Sequence, residues 1–456
     1  MWIRWTYCCL LLAILAGWGS GCSRSDFLNE KPQQSLVVPT TLQDFQNILD
    51  NDNIMNGSLY TGVVPSLGEI ATTDYYVTDA DYQSHLSFQE ENEYIWALYP
   101  YPGADVPDWD LPYQAILYAN EVIGGISGMN VSATDQSEWN NLMGSALFYR
   151  SFFFFNLAQV FAPIYTDSTT AASQLGIPLR LSADVNEKLT RGTLAETYKQ
   201  IITDLKTSTG LLPVKALYGT RPCLPAAYAL LARVYLTQGD YVNALFYANA
   251  CLAVYNTLIN YKTLNFSQKP PIPRFNAENL FNCVIIRTNP FIYGHIDSTL
   301  LSLYDTTDLR PKAWFDVSTL HMAYSYDGSV NLYGGIATDE VYLIRAECFA
   351  RLGKKDSAVA DLNTLLANRI DSTFQPLVPG SVDNPLTLVL TERRKELLFR
   401  GLRWIDLRRL GRNFVDTLCR VVNKNQYYLP PMDPRYVYPI PDNVMAFNPT
   451  WVQNPR

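Results

Sequence analysis

Charge is scarce in this sequence. Asp, Glu, Lys and Arg make up 17 % of the 456 residues, against about 25 % in an ordinary soluble domain. Acids outnumber bases, 43 to 35, for a formal charge of −8. That balance exerts no long-range pull on phosphate backbones and argues against a nucleic-acid binder. Histidine is scarcer still, with only His85, His295 and His321. Three scattered histidines read as ordinary surface or core residues. No H-E-x-x-H, G-x-S-x-G or G-x4-G-K-[ST] pattern occurs, so nothing points to zinc-protease, α/β-hydrolase or P-loop chemistry. Beyond residue 22 the cysteines are Cys223, Cys251, Cys283, Cys348 and Cys419. None are in C-x-x-C spacing, and an odd number cannot pair completely. They read as structural thiols, packed as small hydrophobes.

Long apolar runs are missing too. The N-terminal stretch MWIRWTYCCLLLAILAGWGSGC carries one charge at Arg4 and then an apolar run. That run, about ten residues, falls short of the roughly 20 that span a bilayer and has the layout of a secretory signal. Gly19, Ser20 and Gly21 lead to Cys22, which resembles a bacterial lipobox, with Gly19 where Leu is usual. Residues 1–21 are therefore expected to be a signal peptide, and Cys22 the lipidated first residue of a single domain over 22–456. Several acyl chains on one residue suffice for stable anchoring.

What the chain has in quantity is apolar and aromatic residues, 48 % and 13 %, led by 30 Tyr. The surface must then be covered mostly by uncharged polar groups, which suit uncharged polar ligands. The apolar residues fall into helical patterns. Residues 227–252 place Ala232, Tyr235, Gly239, Tyr241 and Ala244 at tetratricopeptide-repeat offsets, and residues 339–364 repeat the pattern with Ala346, Phe349, Gly353 and Ala358. Two looser pairs precede them, 42–50 with 111–126 and 142–160 with 193–210. The expected fold is mainly α: a tetratricopeptide-like scaffold of about four helical pairs, with long loop-rich insertions and a few short strands.

The insertions, near 66–110 and 265–337, hold the rings. Eleven of the 44 residues from Tyr75 to Tyr118 are aromatic, about twice the average for the chain. Rigid rings on loops offer large contact area at little entropic cost. A sugar's C–H face can cover such a ring while Asp or Asn binds its hydroxyls. Asp74, Tyr75, Tyr76, Trp96, Tyr99, Tyr101 and Trp109 are the ligand-binding candidates here. The acid pairs Asp79/Asp81 and Asp108/Asp110 could serve a glycosidase, but acids in loops are usually solvated turns. Asp79 and Asp81 could also help hold Ca2+, yet no complete twelve-residue loop pattern surrounds them, so no cofactor or metal is expected. The proline-punctuated tail from Tyr428 should lie extended over the body without forming helix.

Residues 392–412, ERRKELLFRGLRWIDLRRLGR, carry eight Arg or Lys. On a helix, Leu398, Leu402 and Ile405 form an apolar stripe. Glu396 would pair with Arg400 and Asp406 with Arg409, so the cations have partners and do not form a nucleic-acid face.

That stretch closely resembles the C-terminal signature of the SusD/RagB family of outer-membrane lipoproteins. The resemblance runs the length of the chain. It includes CSRSDFLNEKP at 22–32, DLPYQAILYANEVIGGI at 110–126, GSALFYRSFFFFNLAQVF with Arg150, RGTLAETYKQIITDLKTSTGLLP, both repeats, YVYPIP and NP-x3-QNP. Arg400 stands where the family usually has Glu, and Ala162 where Gly is common. The resemblance implies a binding protein without catalytic activity. Such a protein captures oligosaccharides, or peptides in some branches, and passes them to a SusC-type TonB-dependent transporter from the exterior of the outer membrane. It also implies a ligand arc shared with a later loop, for which Tyr293 and Trp314 are the candidates. A glycan is favoured over a peptide by the low charge and many tyrosines. A purely structural repeat protein that recruits partners is the third reading, and it requires the aromatic insertions to be packed and inaccessible.

Overall fold

The computed structural model describes residues 38–58, 61–316, 318–411 and 415–456. The signal segment and Cys22 lie outside the described residues. Ten longer helices carry the frame: α1 (Leu42–Leu49), α2 (Pro107–Ser127), α3 (Gln136–Phe161), α4 (Leu194–Thr209), α5 (Leu224–Thr237), α6 (Tyr241–Val254), α7 (Thr338–Arg351), α8 (Lys355–Leu366), α9 (Pro385–Glu396) and α10 (Arg403–Leu410). Their starts are chemically marked. Pro107 opens α2, where a missing N–H costs nothing. Thr193 and Glu196 close a reciprocal capping box on α4.

The four expected pairs all form: α1 with α2, α3 with α4, α5 with α6, and α7 with α8. Each pair then packs on the next, α2 on α3, α4 on α5 and α6 on α7, as a stack that buries what no pair can cover alone. Within the repeats Ala232, Ala244, Ala346 and Ala358 are fully buried, so small side chains sit where helices cross closely. Gly239 and Gly353 make the turns with φ of +74° and +76°, a conformation that costs other residues a Cβ clash. Helix α3 is the axis of the core, with Phe152, Phe153, Phe154 and Phe155 all buried. A run of four rings is tolerated because neighbours cover every side of the helix.

Four expectations need correction. Residues 392–412 are not one helix. α9 ends at Glu396 and α10 begins at Arg403, with Phe399 (φ 55°) and Gly401 (φ +72°) in left-handed conformations between them. Leu398, Leu402 and Ile405 are buried as expected, but Glu396 does not pair with Arg400. Its carboxylate meets Arg369 at 2.7 Å and Arg310 at 2.9 Å, while Arg400 meets Asp339 at 2.5 Å. The backbone break turns the two side chains toward different partners. Asp406 does meet Arg409, at 2.8 Å. The tail is mostly extended, yet Asp442–Phe447 forms a short helix because no proline interrupts it. Cys223, Cys251, Cys283 and Cys348 are buried thiols, whereas Cys419 is exposed. Burial pushes the Cys223 and Cys348 thiols up to about 11 and about 12.

The insertions meet in a four-stranded antiparallel sheet: β1 (Tyr75–Tyr76), β2 (His295–Ile296), β3 (Phe315–Asp316) and β4 (His321–Met322), in the order β1-β2-β4-β3. A second hairpin, Leu418–Val422 with Asn425–Leu429, lies just before the tail.

Candidate functional site

The register of the sheet sets the site. Tyr76 faces His295, His295 faces His321, and His321 faces Asp316 across successive strands. Cross-strand partners share a face, so these four side chains form one row. Side chains alternate along each strand, which sends Tyr75, Ile296 and Phe315 inward as the buried row. The outward row contains two rings in near-parallel contact, Tyr76 on His295 with centroids 5.3 Å apart and planes at 20°. His295 and His321 follow at 4.0 Å and 37°. Beside the row, Tyr293 stacks on His85 at 4.0 Å and 15°, and Asp81 holds His85 Nδ1 at 3.1 Å.

The imidazoles are oriented by the backbone. His295 Nδ1 lies 3.0 Å from the Thr319 carbonyl, and His321 Nδ1 2.8 Å from the Gly294 carbonyl. A carbonyl only accepts, so each Nδ1 carries a proton, and Nε2 is the nitrogen left to accept when the ring is neutral. Ser318 donates its N–H and hydroxyl to Asp316 Oδ1 and holds that carboxyl below its ordinary range. The stacked rings cover one another's faces, so the row offers the outer face of Tyr76, ring edges and hydrogen-bond acceptors. A cleft of about 170 Å³ is built from the second insertion alone, lined by Arg287, Ile292, Met322 and Tyr324 among others.

Of the nine ligand candidates, Tyr76 and Tyr99 present their rings, and Tyr293 is half-buried with one face on His85. Tyr76 is 42 % exposed and Tyr99 80 %. Tyr99 lines a separate cleft of about 280 Å³ with Tyr101, Asp442 and Arg456. The other six side chains are buried. Asp74 is held by Arg394 at 2.5 Å. The Tyr75 hydroxyl donates to the Ile70 carbonyl at 3.0 Å. Trp96 donates its Nε1–H to the Ala71 carbonyl at 3.0 Å, and Tyr101 donates to the Pro439 carbonyl. Trp109 packs edge-on against Phe161, and Trp314 packs beside Tyr261 and Phe315. These six rings and acids anchor the insertions, which have too little regular structure to hold themselves. Three of the four paired acids are likewise occupied, and the fourth, Asp110, is exposed. Asp108 accepts from the Ser66 and Leu67 amides, Asp79 accepts from the Asn423 amide, and Asp81 accepts from Thr78. Asp316 was not singled out from the sequence, and His295 and His321 read there as ordinary residues, because only strand pairing reveals their convergence.

A stack of helical pairs whose ring-bearing insertions meet on one exposed sheet face defines a binding protein of the helical-repeat class. Comparison with known families gives it a place. Residues 26–236 match a family described as "Starch-binding associating with outer membrane", and residues 338–456 match the one described as "SusD family". The chain belongs to the SusD/RagB family of nutrient-binding proteins associated with the outer membrane. No curated protein matches it. Among solved structures it resembles a SusD superfamily protein of Bacteroides thetaiotaomicron (23 % identity, 91 % of this chain and 100 % of that one, TM-score 0.71). It also resembles a SusD superfamily protein of Bacteroides fragilis (19 %, 91 % and 100 %, 0.74) and a SusD-like carbohydrate binding protein of Bacteroides vulgatus (18 %, 91 % and 98 %, 0.67). Among the described residues no helix is long and apolar enough to cross a membrane.

Proposed function

We propose that the chain is a non-catalytic surface lipoprotein, anchored through Cys22, that captures a neutral oligosaccharide and hands it to a SusC-type transporter. One observation carries the reading. Tyr76, His295 and His321 present a continuous row of rings and acceptors on the exposed face of the sheet that joins both insertions. A sugar C–H face can cover the outer face of Tyr76, and sugar hydroxyls donate to Nε2 and to Asp316. The exposure of this row also weighs against a purely structural repeat protein.

The test is a glycan array followed by calorimetry on the chain from Ser23. The double variant Tyr76→Ala/Tyr293→Ala is expected to weaken sugar binding at least about tenfold, or ~1.4 kcal/mol, at an unchanged unfolding temperature. Binding of peptides with no binding of any sugar would instead establish the peptide-capture branch.

A further inference from the structure

The centre of the row has a property that sugar binding does not call for. His295 and His321 stand directly opposite each other on β2 and β4, where cross-strand Cβ atoms lie about 4.5–5.5 Å apart. Their Nδ1 contacts are reciprocal. His295 bonds the Thr319 carbonyl in the segment leading into β4, and His321 bonds the Gly294 carbonyl immediately before β2. An imidazole that gives one N–H to a main-chain carbonyl and keeps the other nitrogen bare is in the state that metal-bound histidines adopt. Here two such rings are 4.0 Å apart and only partly covered.

We propose that His295 and His321 form a two-point site for a late first-row divalent metal ion, of the Zn2+, Ni2+ or Cu2+ class, bound through both Nε2 atoms. Imidazole nitrogen selects that class over Mg2+ or Ca2+, which require oxygen ligands. Metal–nitrogen bonds of about 2.0–2.1 Å require the two nitrogens roughly 3 Å from one another, a spacing that the 4.0 Å separation of the ring centroids puts within a small adjustment of the side chains. Asp316 lies across from His321 on the outer strand, and its charge favours a cation beside the pair. Among the described residues no group of three or more His, Cys, Asp or Glu is gathered closely enough to hold an ion. The protein thus supplies two ligands, and water or hydroxyls of a bound molecule fill the remaining positions on the face that also carries Tyr76. The histidine site does not depend on the glycan reading.

The experiment is calorimetric titration of the tag-free chain from Ser23 with Ni2+ and Zn2+ in the absence of sugar, together with Cu2+ electron paramagnetic resonance. One high-affinity ion per chain is expected, with two imidazole nitrogens in the Cu2+ spectrum. His295→Ala and His321→Ala should each weaken binding at least about tenfold, because the second ligand of a chelate binds at high effective concentration. His85→Ala should leave binding unchanged. A one-nitrogen spectrum, or equal affinity in His295→Ala/His321→Ala, would overturn the proposal. The spectrum of the unmodified protein decides even where a variant misfolds. Loss of the metal site would leave the glycan result standing, and failure of glycan binding would leave the metal result standing.

Discussion

Glu69 is wholly buried on the short helix Leu67–Ile70, where its carboxylate accepts the Gly401 amide at 2.9 Å. Burial, reinforced by the nearby Asp74 charge, pushes its carboxyl up to about 8, although the Gly401 amide pulls in the other direction. The folded protein then holds a proton that the unfolded chain gives up near its ordinary value of 4.5. Stability contributed at this position is intact at low pH and falls as pH rises from 4.5 to about 8. Glu347 behaves in the opposite sense. Burial alone would raise it, but the Arg409 and Arg351 guanidiniums override burial and hold it at about 2. Its contribution is present above the ordinary carboxylate value and is lost only as pH falls toward 2. Glu69→Gln copies the protonated acid, so it should match the parent near pH 5 and exceed it at pH 8.5 by about 2–4 kcal/mol. Thermal unfolding of the two proteins across that range reads the difference. A constant gap at every pH would show that Glu69 is ionised in the folded state.

Among elements, the informative one is the break between α9 and α10. The apolar stripe Leu398, Leu402, Ile405 is the same whether the backbone is continuous or broken, so periodicity could not reveal the break. Its cause is long-range. Arg310 from the second insertion is fully buried against Asp308, Glu392 and Glu396, and Arg369 against Glu278 and Glu396. One long helix would have kept those contacts but left the buried Arg393 and Asp406 about 20 Å apart, whereas the break brings them to 2.9 Å. The paired helices were legible because their small residues and turn glycines repeat within each copy. The binding row was not, because 75–76, 295–296 and 315–322 meet only through strand register. Gly401 sits at φ +72° with room for a methyl group, the nearest atom being Ile285 Cδ1 at 3.4 Å. Gly401→Ala should therefore cost only the backbone term, about 1–2 kcal/mol, measured by denaturant unfolding. A cost above about 4 kcal/mol would mean that crowding, not the left-handed turn, sets the requirement.

Over the whole molecule, the aromatic insertions divide into rings that fasten and rings that face out. Arg420, on the hairpin Leu418–Val422, reaches back to donate to the Tyr94, Ile70 and Thr72 carbonyls, and its guanidinium lies over the Tyr94 and Trp96 rings. The tail closes over the same region. Tyr438 donates its amide to the Val160 carbonyl at 2.9 Å, and Asn454 bonds the Phe161 carbonyl at 2.7 Å. Removing Trp96 would leave a cavity beneath Arg420 and strip the Ala71 carbonyl of its donor. Trp96→Ala should cost about 3–5 kcal/mol and weaken any ligand only indirectly, by loosening the insertion. Tyr76→Ala should do the reverse, leaving the unfolding midpoint within about 0.5 kcal/mol while reducing affinity. Measuring denaturant midpoint and ligand affinity on both variants separates the roles. If Trp96→Ala kept its stability yet lost the ligand, the packed ring would belong to the binding face and the sheet row would not be the site.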